Sequence, residues 1–236
     1  MQDLGVRLRR IFHMADFGKW VVDAFNGLTP SIDGIYTDAK YDNISYWRKK
    51  QQAMVTTAGA VAMVIPGAHL VALAADVAFL MNRMAVCSYG IGAIYGYDRF
   101  SENILEEEDF ANILALWAGN DEITTIVTGN DEIITMVISK AAIDIASKVG
   151  GKAGIKIIGK TIAKSGAILV GKKLGGKVGA KIGAKFAGKL SGKAAGGMVP
   201  FLGAVIGGGI NLWFITGIAD SAQKYYKFKC DVISKL

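Results

Sequence analysis

Between Asp144 and Asp220 the chain carries no acidic residue at all. Cysteine is nearly as scarce: Cys87 and Cys230 are the only two, which excludes a disulfide framework or a thiolate metal site. The expectation is a reducing cytoplasm, with one long-range disulfide as the alternative. His13 and His69 are the only histidines, and neither has ligand-spaced companions, so no zinc pattern exists. No Ser/His/Asp or Cys/His arrangement can be drawn, and no catalytic, cofactor-binding or metal-ligating residue is assigned. Strand-period alternation of useful length is missing too, which leaves an all-α chain. The N-terminus lacks a signal-peptide layout, because Arg7, Arg9 and Arg10 are not followed by a long apolar core.

What is present is apolar and glycine-rich. Of 236 residues 52% are hydrophobic and 30 are glycine, and the mean hydropathy is positive at +0.34. A chain of this length buries a sizeable core. Its net charge of +7 conceals a split. Residues 1–144 hold 18 acids against 11 bases, and residues 145–236 hold 16 bases against 2 acids. Such asymmetry points to a polyanionic partner, or to one half docking on the other. The expected organisation is one compact multi-helix domain with closely packed, Gly-rich helices. Residues 1–50 form an amphipathic helix and loop, 51–144 an acidic half, and 145–236 a basic Lys/Gly-rich half.

Along the chain, residues 6–26 read as an amphipathic helix and 27–38 as a loop broken by Gly27, Pro30 and Gly34. Residues 51–75 carry no formal charge and have transmembrane length. Pro66-Gly67 splits them, so a buried helical hairpin explains them equally well. A helix continues over 76–95, with Asp76 and Arg83 inside, to a Gly/Tyr-rich turn at Tyr95–Asp98. Glu106, Glu107, Glu108 and Asp109 read as a solvated helix start. Gly119–Ile123 is nearly duplicated at Gly129–Ile133, an N-capping pattern. Its spacing fails the calcium-loop pattern. Residues 194–219 are again uncharged, and 220–236 read as a polar helical tail.

The basic half contains a ladder. Lys177, Lys181, Lys185, Lys189 and Lys193 recur every four residues, with Gly175, Gly179 and Gly183 two positions ahead of the first three. At about 100° per residue, a lysine and the glycine two positions before it lie roughly 200° apart. A helix here has lysines on one side and a small-residue groove on the other, suited to close backbone approach. It is a poor helix alone, since each glycine costs about 1 kcal/mol against alanine. Like charges at i,i+4 cost a few tenths more. Packing or an acidic surface must offset this. A four-residue period also drifts by about 40° per repeat. Lys152, Lys156, Lys160 and Lys164 belong to an earlier phase, so the spacing predicts two helices with a break near Gly171–Gly176.

Gly154–Thr161 formally matches the Walker A pattern, but no buried strand precedes it and the ladder nearly regenerates it at Gly183–Leu190. The ladder also lacks arginine and has one aromatic, Phe186, which disfavours nucleic acid. Lysines beside the apolar column of Val178, Ile182, Phe186 and Leu190 suit an anionic lipid interface better.

Two blocks carry a family resemblance. The first holds Gly67, Leu70, Asp76, Leu80 and Ile91-Gly92-Ala93-Ile94-Tyr95-Gly96-Tyr97-Asp98. The second is Val199–Asn211, followed by Ala219 and Ala222. In order and spacing they resemble the EcsC protein family, over about two-thirds of the chain. Ala75 departs from the pattern, where proline is expected. The resemblance implies a bacterial, helical, membrane-associated protein, with a namesake encoded beside an ABC transporter and no catalytic residues to carry over. It marks Asp76 and Asn211 as polar positions within apolar helices.

The combined expectation is a non-enzymatic helical protein, without cofactor, at the inner face of the bacterial cytoplasmic membrane. Its ladder lysines meet anionic lipid, and segments 51–75 and 194–219 pack in the core or insert, even permeabilising the bilayer in a toxin or defence role. The alternative is a soluble interaction module, or transporter accessory factor, whose basic half binds an acidic protein, a second copy or its own acidic half.

Overall fold

The structure, a computed structural model, describes residues 31–62, 69–119, 151–174, 184–185 and 200–235. Six helices of five residues or more make up the described chain: α1 (Ile32–Ala39), α2 (Ile44–Ala62), α3 (His69–Phe100), α4 (Asp109–Trp117), α5 (Gly151–Leu174) and α6 (Pro200–Ser234). The fold is all-α, with no strand among the described residues. Helix α6 lies against α2, α3, α4 and α5, and one continuous apolar core joins the bundle.

Helix α1 replaces the described part, 31–38, of the loop expected over 27–38. Ser31 supplies the cap, its hydroxyl accepting from Gly34 N at 3.4 Å, and Asp33 sits in the first turn. Burial of Ile35 and Ala39 then holds the helix against α3. Asn43 starts α2 in the same way, its Oδ1 accepting from Ser45 N at 2.8 Å and Tyr46 N at 3.3 Å. Trp47, Gln51, Val55 and Gly59 recur every four residues on the buried face of α2.

Helix α3 runs through Ala75 without a break and continues to Phe100, so no turn exists at Tyr95–Asp98. The glycines there serve packing. A Cβ on Gly92 would meet the Tyr226 ring at 2.3 Å, and one on Gly96 would meet the Glu102 carbonyl at 2.7 Å. The reversal comes after the helix, where Ser101 adopts φ 55°.

Helix α6 joins the uncharged segment to the expected polar tail in one 35-residue helix. Its last turns are not a solvated tail, because Tyr225, Tyr226, Lys229 and Cys230 are all buried. Among the described residues one span, Ala75–Phe100, is long and apolar enough to cross a membrane, and 78% of its most apolar stretch is buried in the bundle. A core helix of a soluble protein has the same character. Residues 63–68 and 194–199 of the two expected uncharged segments, 51–75 and 194–219, lie outside the described residues.

Helix α5 passes through Gly171 and is described to Leu174, where the expected break would fall. The amphipathic segment 6–26, His13, the near-duplication at Gly129–Ile133 and ladder residues Gly175, Lys177, Gly179, Lys181, Gly183, Lys189 and Lys193 lie outside the described residues.

Candidate functional site

Two buried polar clusters and one surface groove hold the described polar chemistry. The first cluster sits where α4 and α5 meet α6. Asp109 opens α4 and is fully buried, so within the solvated helix start expected at 106–109 Glu107 is exposed and Asp109 is not. Lys229 on α6 is also fully buried, and its Nζ lies 2.7 Å from Asp109 Oδ1 and 2.8 Å from Oδ2. Tyr225 donates to Oδ1 at 2.7 Å and Tyr226 to Oδ2 at 3.3 Å. Glu106 N donates to Oδ2 at 2.9 Å. The carboxylate's accepting capacity of about four sites is filled, leaving it nothing to offer a substrate. Asn112, one turn on, donates to the Ala163 carbonyl at 3.0 Å and to the Tyr225 hydroxyl at 3.3 Å, tying α4 to α5 and α6.

Burial, then the Asp109 charge, pushes the Tyr225 and Tyr226 hydroxyls well above the ordinary phenol range. The same two causes raise Tyr89, which donates to the Glu107 carbonyl at 2.9 Å. Burial also raises Glu106, with Lys229 opposing it. These shifts keep the phenols protonated as donors, so the cluster acts as a clamp between α4 and α6.

The second cluster contains both polar positions marked in the sequence. Asp76 on α3 and Asn211 on α6 are buried, and Asn211 Nδ2 donates to Asp76 Oδ1 at 2.8 Å and to the Val55 carbonyl at 2.9 Å. One amide thus links α2, α3 and α6. Close approach is required here, since a Cβ on Gly59 would lie 2.4 Å from Asn211 Nδ2. Nearby, Arg83 donates from Nε to Gln51 Oε1 at 2.9 Å, and burial lowers its pKa.

Of the ladder, Lys185 is described. It does not face solvent as expected: it is half-buried, donates to the Trp117 carbonyl and lies 4.5 Å from the Trp117 ring centroid. Trp117 ends α4, where the negative end of the helix dipole favours a cation. The Walker-like segment Gly154–Thr161 lies wholly inside α5, so its interior amides are committed to the helix rather than to a phosphate. Cys87 and Cys230 are free and buried, and burial pushes each thiol up to about 12. No group of three or more His, Cys, Asp or Glu among the described residues is arranged to hold a metal.

The groove lies on the surface between α2 and α6. These helices run antiparallel, marked by contacts of Gly59 with Asn211, Gln52 with Thr216 (2.9 Å), and Arg48 with Asp220 (2.5 Å) and Gln223 (2.6 Å). Beyond Gln52 the exposed positions on α2 are Ala53, Met54, Thr57 and Val61, and those on the facing part of α6 are Val205, Gly209, Leu212 and Trp213. None is charged. Val205 is 75% exposed, Val61 56% and Trp213 43%. On the other side of the Gln52–Thr216 bond the exposed positions become Ser45, Tyr46, Lys49 and Lys50 on α2 and Asp220, Lys224 and Lys227 on α6. Sequence alone separated 51–75 and 194–219 as uncharged but could not place them side by side.

No family model matches the chain, and no curated protein or solved structure matches it at a significant level.

Proposed function

We propose that this is a non-enzymatic, membrane-associating helical protein that binds anionic lipid, as a relative of the EcsC family. The observation that carries the reading is the division of the α2–α6 surface. Among the described residues one half of the helix pair exposes uncharged, mostly apolar side chains, and the other half exposes Lys49, Lys50, Lys224 and Lys227 with Ser45, Tyr46 and the single acid Asp220. Exposed apolar side chains bounded by basic residues match a lipid interface. The acid-free stretch between Asp144 and Asp220 adds lysines that attract anionic headgroups. Location at the inner face of the bacterial membrane belongs to the same proposal.

Co-sedimentation with vesicles of phosphatidylcholine, with and without phosphatidylglycerol, tests it. Binding that needs phosphatidylglycerol and weakens with salt supports the reading. No binding at low salt sinks it.

A second reading has one specific observation in its favour. Lys185 of the basic half rests on Trp117 of the acidic half, as internal docking of the two halves requires. A monodisperse protein indifferent to lipid would favour that reading.

A further inference from the structure

We propose that the groove between α2 and α6 holds the headgroup of an anionic phospholipid, whose acyl chains lie along the adjoining uncharged face. The proposal rests on the membrane reading above and adds a defined lipid site to it.

The groove encloses about 420 Å³ and is lined by Ile44, Ser45, Arg48, Lys49, Gln52 and Gln223. Arg48 is held in place by its bonds to Gln223 and Asp220. Lys49 is exposed and makes no ion pair among the described residues. Two cations therefore face one carboxylate, and the groove is net positive. The amides of Ser45 and Tyr46 are taken by Asn43, so the lining side chains, rather than the end of α2, supply the anion chemistry.

The groove's position selects the ligand. From Lys49 to Val61 α2 rises about 18 Å, close to the roughly 15 Å depth of one hydrocarbon leaflet. A headgroup at Lys49 would send its chains past Met54 toward Val61 and Val205, where uncharged side chains are exposed. On the opposite side stand Tyr46 and Tyr41, 59% and 73% exposed, next to lysines. Tyrosine with lysine is the composition of the headgroup layer. A soluble phosphate would use the groove and leave the apolar face bare, whereas a phospholipid uses both. The depth fits insertion into one leaflet, with the polar ends of both helices left in water.

Three proteins decide the matter on phosphatidylcholine/phosphatidylglycerol vesicles: wild type, Lys49→Glu and Asp220→Asn. Both positions are exposed, so neither change burdens the core. Lys49→Glu is expected to weaken binding roughly fivefold or more, and Asp220→Asn to strengthen it. Glycerol 3-phosphate is expected not to release the bound protein. Wild-type binding that neither substitution alters overturns the groove and leaves the membrane reading standing on the ladder. Absence of wild-type binding overturns both. Release by glycerol 3-phosphate makes this a soluble-phosphate site and overturns the lipid assignment. A detergent-free dimer that buries Val61 assigns the face to a second copy and likewise overturns it.

Discussion

Lys229 Nζ lies within 2.8 Å of both oxygens of Asp109, and both side chains are fully buried. Removing either partner strands a charge in the core, which costs about 3–5 kcal/mol. Lys229→Met and Asp109→Leu should each lose stability on that scale in urea unfolding. The double variant should be more stable than the additive sum, because it strands neither charge. Strict additivity would show that the pair is not coupled.

Asn211 ties three helices with one amide. Asn211→Ala leaves the Val55 carbonyl without that donor and should cost about 1–3 kcal/mol. Asn211→Asp should cost more at neutral pH, since it sets a second carboxylate beside Asp76. Thermal unfolding of the two variants gives the order directly.

The glycines divide by what surrounds them. A Cβ on Gly90 would fall 2.2 Å from the Trp47 indole, so Gly90→Ala should destabilise by about 1–3 kcal/mol. Nothing lies within 4 Å of a Cβ on Gly209, which is in mid-helix. Gly209→Ala should therefore stabilise by up to about 1 kcal/mol. Paired melting curves check both signs.

Much of this was legible in sequence, and the exceptions have physical causes. The all-α fold followed from apolar residues at three- and four-residue steps without strand alternation. Asp76 and Asn211 stood out through the family resemblance, which marks them as polar positions within apolar helices. Asp109 did not, because it closes an acidic run and resembles its neighbours. Lys229 was lost among Lys224 and Lys227. One signal could have found it: Ala222, Tyr225, Tyr226, Lys229 and Ile233 share a helical face, and a lysine on an apolar face needs a buried partner. The turn expected at Tyr95–Asp98 failed because Gly96 makes room for the Glu102 carbonyl rather than for a bend. The groove required two segments some 170 residues apart to meet, as Arg48 and Asp220 do, which no local pattern reports.

Alkali should unfold the protein early. Burial raises the Cys87 and Cys230 thiols from 9.0 to about 12, and raises Tyr225 and Tyr226 as well. An unfolded chain ionises its thiols near 9, while the folded chain holds them protonated. Their contribution is intact below that pH and is lost as pH climbs from 9 to 12. Urea midpoints measured across this interval should fall continuously. Thiol reagents should react only as unfolding proceeds, and rapid labelling of the native protein at neutral pH would contradict the burial.

The proposed membrane reading requires the uncharged end of the α2–α6 pair to enter lipid and the charged end to stay in water. An environment-sensitive fluorophore on Val61→Cys, and separately on Lys224→Cys, reads this directly, since the native cysteines are buried. On phosphatidylcholine/phosphatidylglycerol vesicles the account predicts a blue shift at position 61 and a water-like spectrum at position 224. A water-like spectrum at 61 in the vesicle-bound protein, or an equal shift at both positions, would contradict it.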